Sequence, residues 1–191
     1  MNKKGKIIVI SAPSGCGKTT IINSILGSGE IQLRFSVSAT NRAPRPGEED
    51  GVQYHFFTTE EFRDAIASDA FVEWEQVYPG RYYGTLRREL SDAATRGENT
   101  ILDIDVKGAL KVKQQFGDDA LLIFIMPPSV EALRQRLIKR GTDSAEVIAE
   151  RIGKAEYEMS FAPQFDRVIV NDDLPVAVAA TESAISDFIN K

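Results

Sequence analysis

Ile7-Ile8-Val9-Ile10-Ser11-Ala12-Pro13-Ser14-Gly15-Cys16-Gly17-Lys18-Thr19-Thr20 is the stretch on which the reading of this chain turns. Its first four residues are β-branched and uncharged, the pattern of a central strand buried on both faces. A turn of small residues follows, and Thr19 to Leu26 reads as a helix. Strand, turn and helix in this order are the context in which Gly17-Lys18-Thr19 marks a phosphate-binding loop. Small residues let backbone N–H groups curl around phosphate oxygens, and the helix N-terminus adds unpaired donors and the positive end of its dipole. Lys18 is then expected on the β- and γ-phosphates and Thr19 on Mg²⁺. Ala12 stands where such loops usually begin with glycine, and it restricts the backbone there. Cys16 reads as a spacer that offers its backbone N–H, not as a nucleophile. The bland alternative is an ordinary glycine-rich strand–helix turn.

Working outward, further buried strands are expected at Thr100 to Ile104, Leu121 to Met126 and Arg167 to Val170. Helices are expected at Val106 to Phe116, Ser129 to Arg140, Ser144 to Ser160 and Pro175 to Ile189. Alternating strands and helices imply an α/β fold with a mostly parallel sheet covered on both faces. Asp103 and Asp105, two apart at the end of one such strand, share a face. Ligands of open α/β sheets sit at the carboxyl ends of strands. Asp103 is therefore expected to hold Mg²⁺ through its water shell; the alternative is that one aspartate caps the next helix, and Asp105, before Val106, could do both. In the helix from Ser129, Val130, Leu133 and Leu137 form an apolar face that leaves Arg134 and Arg140 elsewhere. Gly141 interrupts it. In the next helix Ile148, Ile152, Ala155 and Met159 form a stripe with Arg151 off it. Arginines around a glycine break suggest a lid closing over triphosphate; the alternative is a charged helical hairpin.

Residues 35–85 differ. They carry short runs (Tyr54-His55-Phe56-Phe57 and Phe71 to Val77), a Pro/Gly/Asp-rich connection from Ala43 to Gly51 and most of the tyrosines. The expected organisation is a phosphate-binding core of residues 1–34 and 86–191, with the lid at about 128–160, carrying a small, partly antiparallel insert at 35–85. In the insert, Arg42 and Arg45 flank Pro44, with Pro46 beyond: planar donor forks for phosphate on a restricted backbone. Taken singly, the arginines also read as solvated surface charge, the tyrosines as packing and Glu73 as an exposed strand residue. Their joint occurrence argues for a site.

The bulk numbers bound the rest. A chain of 191 residues, 42% hydrophobic and 27% charged, is long enough to bury a core without staples. Its net charge of -5 argues against a general nucleic-acid binder. With one cysteine (Cys16) and one histidine (His55), an intrachain disulfide, a His/Cys zinc site and Ser-His-Asp or Cys-His hydrolase chemistry are excluded. No signal peptide or membrane span is apparent, so the expected compartment is the cytoplasm, with no nucleic-acid or membrane partner.

With these motifs in place, the chain resembles the guanylate kinase family over essentially its whole length. The matching strings are the phosphate loop, Ser36-Val37-Ser38 through Arg42-Ala43-Pro44-Arg45, Glu73-Trp74, Tyr83-Gly84-Thr85, Ile101-Leu102-Asp103-Ile104-Asp105, Arg140-Gly141-Thr142 and Val168-Ile169-Val170-Asn171-Asp172-Asp173-Leu174. Ala12 is similar to a variation of the bacterial-type members. The resemblance implies transfer of the γ-phosphoryl group of MgATP to GMP, on a five-stranded parallel core with a mixed α/β GMP-binding insert and a helical lid. It implies ATP contacts along Ala12, Pro13, Ser14, Gly15, Cys16, Gly17, Lys18, Thr19 and Thr20, with Arg140 and with Asn171 near the adenine. It places Arg42, Arg45, Tyr54 and Tyr83 at the GMP phosphate, and Ser38, Glu73, Thr85 and Asp105 around the guanine. Lys18, Arg45, Arg140 and Arg151 are the implied catalytic residues. The implied partners are GMP, with dGMP, and ATP, in a monomer or homo-oligomer. Two other functions remain: a silent guanylate-kinase-like binding module, which the retained Lys18 and Thr19 disfavour, and a related kinase for another acceptor, which Glu73 with Ser38 and Thr85 disfavours.

Overall fold

In the computed structural model, residues 4–141 and 143–191 are described. Thr142, of the string Arg140-Gly141-Thr142, lies outside the described residues. The chain begins β1 (Ile7–Ser11), α1 (Lys18–Ser28), β2 (Leu33–Phe35), β3 (Ala39–Thr40), β4 (His55–Phe56) and α2 (Thr59–Ala67). It continues β5 (Phe71–Tyr78), β6 (Arg81–Leu86), α3 (Arg87–Thr95), β7 (Asn99–Asp103), α4 (Val106–Phe116) and β8 (Ala120–Met126). The last elements are α5 (Val130–Arg140), α6 (Ala145–Met159), β9 (Arg167–Val170) and α7 (Leu174–Ile189).

The five-stranded sheet has the order β2-β7-β1-β8-β9, every neighbouring pair parallel. Alternation along β1 explains its apolar run. Ile7 and Val9 face a core with Leu102, Leu122 and, from α4, Ala109 and Val112. Ile8 and Ile10 face the opposite core with Ile21, Ile22 and Ile25 of α1 and Ile185 of α7. Both faces of the strand are covered, which accounts for the unbroken apolar run from Ile7 to Ile10; only the last residue, Ser11, is polar. Asp105, Ser129, Ser144 and Asp173 cap α4, α5, α6 and α7 through side-chain hydrogen bonds, which fixes where each helix begins.

A second sheet, order β4-β3-β6-β5, is built from residues 39–86. β5 and β6 form an antiparallel hairpin, β3 pairs antiparallel with β6, and β3 and β4 run parallel. Its small core is Ala39, Phe62, Phe71 and Leu86, with Phe62 stacked on Phe71 at 4.4 Å between ring centroids. Against the sequence reading, the run at Tyr54 to Phe57 shortens to a two-residue strand, and β2, α2 and α3 are additions. α2 had a visible signal in its capping box of Thr58 and Glu61. Among the described residues no helix is long and apolar enough to cross a membrane.

Candidate active site

The loop between β1 and α1 is shaped by two glycines with positive φ, Gly15 at 91° and Gly17 at 83°. Gly17 has a second constraint. A Cβ there would lie 2.6 Å from Nδ2 of Asn171, and that amide donates a 2.8 Å hydrogen bond to the carbonyl of Cys16. Asn171 is buried and braces the loop from behind. No side chain caps α1 and its first turn holds no acid, so its N-terminal dipole end is left to an anion. The Cys16 N–H bonds to the carbonyl of Pro13 at 3.2 Å. The Cys16 amide that was expected to face phosphate closes the turn in this structure. Its side chain is fully buried with Leu133 and Leu137 of α5 and Ile148 of α6, and burial pushes the thiol up to about 12. The helical hairpin of α5 and α6 is thus seated on the loop by an apolar cluster.

The loop opens on a cavity of about 760 Å³. Lys18, Thr19 and Thr20 reach it from α1, Asp103 and Asp105 from the end of β7, and Arg140 from the last turn of α5. Lys18 is ion-paired with Asp103. Arg151 of α6 donates to the Ser14 hydroxyl at 3.1 Å and pairs with Asp143 at 3.5 Å, so it already touches the loop.

A second cavity, of about 240 Å³, lies between the two sheets. Ser38, Tyr54, Glu73, Tyr83, Asp103 and Asp105 are among its walls. Glu73 is 5% exposed, and its Oε1 accepts a 2.6 Å hydrogen bond from Thr85. Burial, with Asp105 nearby, pushes its carboxyl up to about 7. The tyrosine rings meet edge-on at 5.8 Å, and burial raises the Tyr54 hydroxyl. The two cavities share one wall, Asp103-Ile104-Asp105, so molecules occupying them meet at the end of β7. Asp105 also caps α4, its Oδ1 accepting from Gly108 N at 2.8 Å.

A sheet of this order, a loop of this shape and two anion-scale cavities joined at one strand end can be set against known proteins. The family described as guanylate kinase matches residues 4–188. The chain belongs to that family. A guanylate kinase of Bacteroides thetaiotaomicron is 54% identical over 187 residues, 98% of this chain and 91% of that protein. One of Porphyromonas gingivalis is 51% identical over 186 residues, 97% and 99% of the respective chains. The crystal structure of guanylate kinase from Anaplasma phagocytophilum superposes with a TM-score of 0.76 at 31% identity, covering 99% of this chain and 88% of that one.

Measured against the family expectation, the geometry gathers Ser38, Tyr54, Glu73, Tyr83 and Asp105 in one cavity, with Thr85 bonded to Glu73 behind it. Glu73 corrects the reading of an exposed strand residue. A register irregularity between Phe71 and Glu73 leaves three successive residues of β5 buried, where simple alternation exposes one. Arg42 and Arg45 are not walls of this cavity. The Arg42 guanidinium grips Glu48 with two bonds of 2.8 and 2.9 Å and lies 5.3 Å from the centre of the Tyr54 ring. This pairing holds the Glu48 carboxyl down at about 2 and raises Arg42. Arg45 is exposed, its backbone N–H donating to Glu48.

Two side chains in the larger cavity escaped the sequence reading. Arg136 lines it and donates to the carbonyl of Asn171 at 2.7 Å. Its spacing of four from Arg140 places both on one helical face, which is the signal that finds it. Glu158 of α6 also lines the cavity, and burial raises its carboxyl. Nothing in its local sequence distinguishes it from a solvated helix charge.

Proposed function

We propose that this chain transfers the γ-phosphoryl group of ATP to GMP, giving ADP and GDP. The observation that carries the reading is the pair of cavities sharing the end of β7: one offers a helix N-terminus and cations, the other a buried carboxylate. ATP phosphates belong in the first, against the loop from Ala12 to Thr20, with Lys18 and Arg140 neutralising charge and Arg151 approaching from the lid. Asn171 acts from behind the loop. GMP belongs in the second. Its phosphate is held by Arg42, Arg45, Tyr54 and Tyr83, with Arg42 pre-oriented by Glu48. Its guanine lies against Ser38, Glu73, Thr85 and Asp105.

Guanine presents N1–H and an N2 amine on one edge, and a carboxylate can accept from both in parallel. Its O6 is an acceptor, to which the Ser38 hydroxyl can donate; the proton of the Thr85 hydroxyl is already given to Glu73. Adenine has no N2 amine and an acceptor at N1, so it leaves Glu73 unpaired.

Phosphoryl transfer is mainly a matter of positioning and charge stabilisation. Lys18, held at the cavity by Asp103, is the cation for the β- and γ-phosphates, and Arg45, Arg140 and Arg151 spread charge over the transferring group. The donor set fits Mg²⁺: the exposed Thr19 hydroxyl and the Asp103 carboxylate are few, hard oxygen donors, which suits an ion that keeps most of its waters. When bound, Mg²⁺ neutralises charge on the β- and γ-oxygens. The same reading includes dGMP as acceptor, a cytoplasmic site of action, a monomer or homo-oligomer, and division into a core of 1–34 and 86–191, a lid at about 128–160 and an insert at 35–85.

ADP formation from MgATP, followed with GMP, AMP, CMP or UMP as acceptor, tests the proposal. Turnover is expected with GMP, absent in excess EDTA, and far slower with the others. No turnover with GMP would refute it.

A further inference from the structure

Gly108 sits in the first turns of α4 with no positive φ, so its backbone does not require glycine. Alanine there would favour the helix by about 1 kcal/mol. The reason for glycine lies across the cavity wall. A Cβ on residue 108 would stand 2.8 Å from Oε2 of Glu73, 3.2 Å from its Cδ and 3.4 Å from its Cγ.

α4 is not free to back away. Lys111, one turn on, donates to the carbonyl of Trp74 at 3.2 Å and to Glu75 at 2.7 Å. Gln115, another turn on, donates to the carbonyl of Val72 at 2.6 Å. Positions 108, 111 and 115 are the i, i+3 and i+7 sites of one helical face, and that face is tied along β5. The Glu73 carboxylate is therefore confined between two neighbours: Thr85, bonded to Oε1, and the bare Cα of Gly108 beside Oε2. A methyl group at 108 meets the far end of a flexible side chain, so Glu73 yields before either backbone does.

We propose that Gly108 is a specificity-positioning residue: the missing side chain keeps the Glu73 carboxylate in the orientation that reads the acceptor base. This rests on the assignment of GMP to the second cavity. In Gly108→Ala the carboxylate is displaced and its bond to Thr85 is strained, while the fold and the ATP side stay intact.

The test combines three readouts. In steady-state kinetics Gly108→Ala should raise the KM for GMP about tenfold, the loss of about one charge-assisted hydrogen bond, with the KM for ATP within about twofold of wild type. In a Glu73→Ala background the same change should alter GMP affinity by less than about twofold, because the residue acts only through Glu73. In the nucleotide-free chain, ¹³C NMR of labelled glutamates should show the Glu73 titration moving from about 7 down toward the ordinary carboxylate range in Gly108→Ala, as the carboxylate turns out of its buried niche. An unchanged Glu73 titration, or an equal GMP effect in both backgrounds, overturns the proposal. If the titration moves as expected but wild type does not bind GMP, the positioning of Glu73 by Gly108 stands and the substrate assignment fails.

Discussion

The two cavities solve recognition in opposite ways. The proposed phosphate side is built around a backbone loop of contiguous residues between β1 and α1, shaped by missing side chains: Gly15 and Gly17 set the path, and Gly17 makes room for Asn171. The proposed acceptor side is made of side chains drawn from Ser38 to Asp105, and two of them are held by others. Thr85 holds Glu73, Glu48 holds Arg42, and Gly108 leaves Glu73 its space. A phosphate presents much the same charge to any approach, so a cup of N–H donors with a cation is sufficient. A base edge must be told from a near relative, and that takes groups fixed to within a fraction of an ångström. The acceptor side carries a cost for this, because its central carboxyl is buried and pushed up to about 7.

The sharpest contrast between the sides is expected from removing a charge on each. Lys18→Ala should lower kcat at least ~10²-fold, since charge stabilisation is most of what the site offers to phosphoryl transfer. Its fold should be retained, because among the described residues the Lys18 ion pair is with Asp103 at a cavity wall and not with the core. A well-folded variant with near-normal turnover would remove Lys18 from the mechanism. Smaller losses are expected in the lid: Arg140→Ala or Arg151→Ala should cost on the order of tenfold in kcat, roughly one charge-assisted hydrogen bond in the transition state. The KM for GMP should change less than kcat. A variant affected only in GMP affinity would place that arginine on the acceptor side.

The smallest effect is one of stability, and its sign is opposite to the functional one. Between about 4.5, the ordinary value, and about 7, the folded chain holds a proton on Glu73 that the unfolded chain has released. The folded state therefore loses stability as pH rises through that window, and the cost is complete above it. Glu73→Gln, which cannot ionise, should melt higher than wild type at pH 8, by about 2–4 °C for each kcal/mol relieved, and little differently at pH 5. The same change should weaken GMP. Equal melting temperatures at pH 8 would mean that the niche does not resist the charge.

The contrast between the sides also explains what could be read in advance. The loop and α1 were legible because a backbone site must be contiguous, and Gly17-Lys18-Thr19 after a β-branched run leaves few alternatives. The central strands β1, β7 and β8 were legible because burial on both faces makes their runs mostly apolar. β9 was found from Val168-Ile169-Val170, but it is an edge strand whose residues are largely exposed, not the buried strand expected from that run. α4 to α7 could be bounded to within about a residue because Asp105, Ser129, Ser144 and Asp173 are strong caps. The three residues of β2, on the sheet edge, gave no run to detect, and α2 and α3 each bury only one or two residues against mostly exposed faces. On the acceptor side only the family resemblance singled out Glu73. Its burial depends on an irregularity of β5 and on a helix more than thirty residues later, neither of which leaves a local pattern. Arg42 was picked as a phosphate ligand, but its grip on Glu48 needed coordinates to be seen.

In the proposed function, a buried carboxylate on one side of the β7 end selects the acceptor for a phosphoryl group delivered from the other. The most direct measurement is the ratio of kcat/KM for GMP to that for AMP at saturating MgATP. A site whose polar groups are left unpaired by an analogue discriminates by up to ~10⁴–10⁵, and a ratio of at least ~10³ is expected here. Use of AMP within tenfold of GMP by the wild-type chain would contradict both the role of Glu73 and the function proposed for the site.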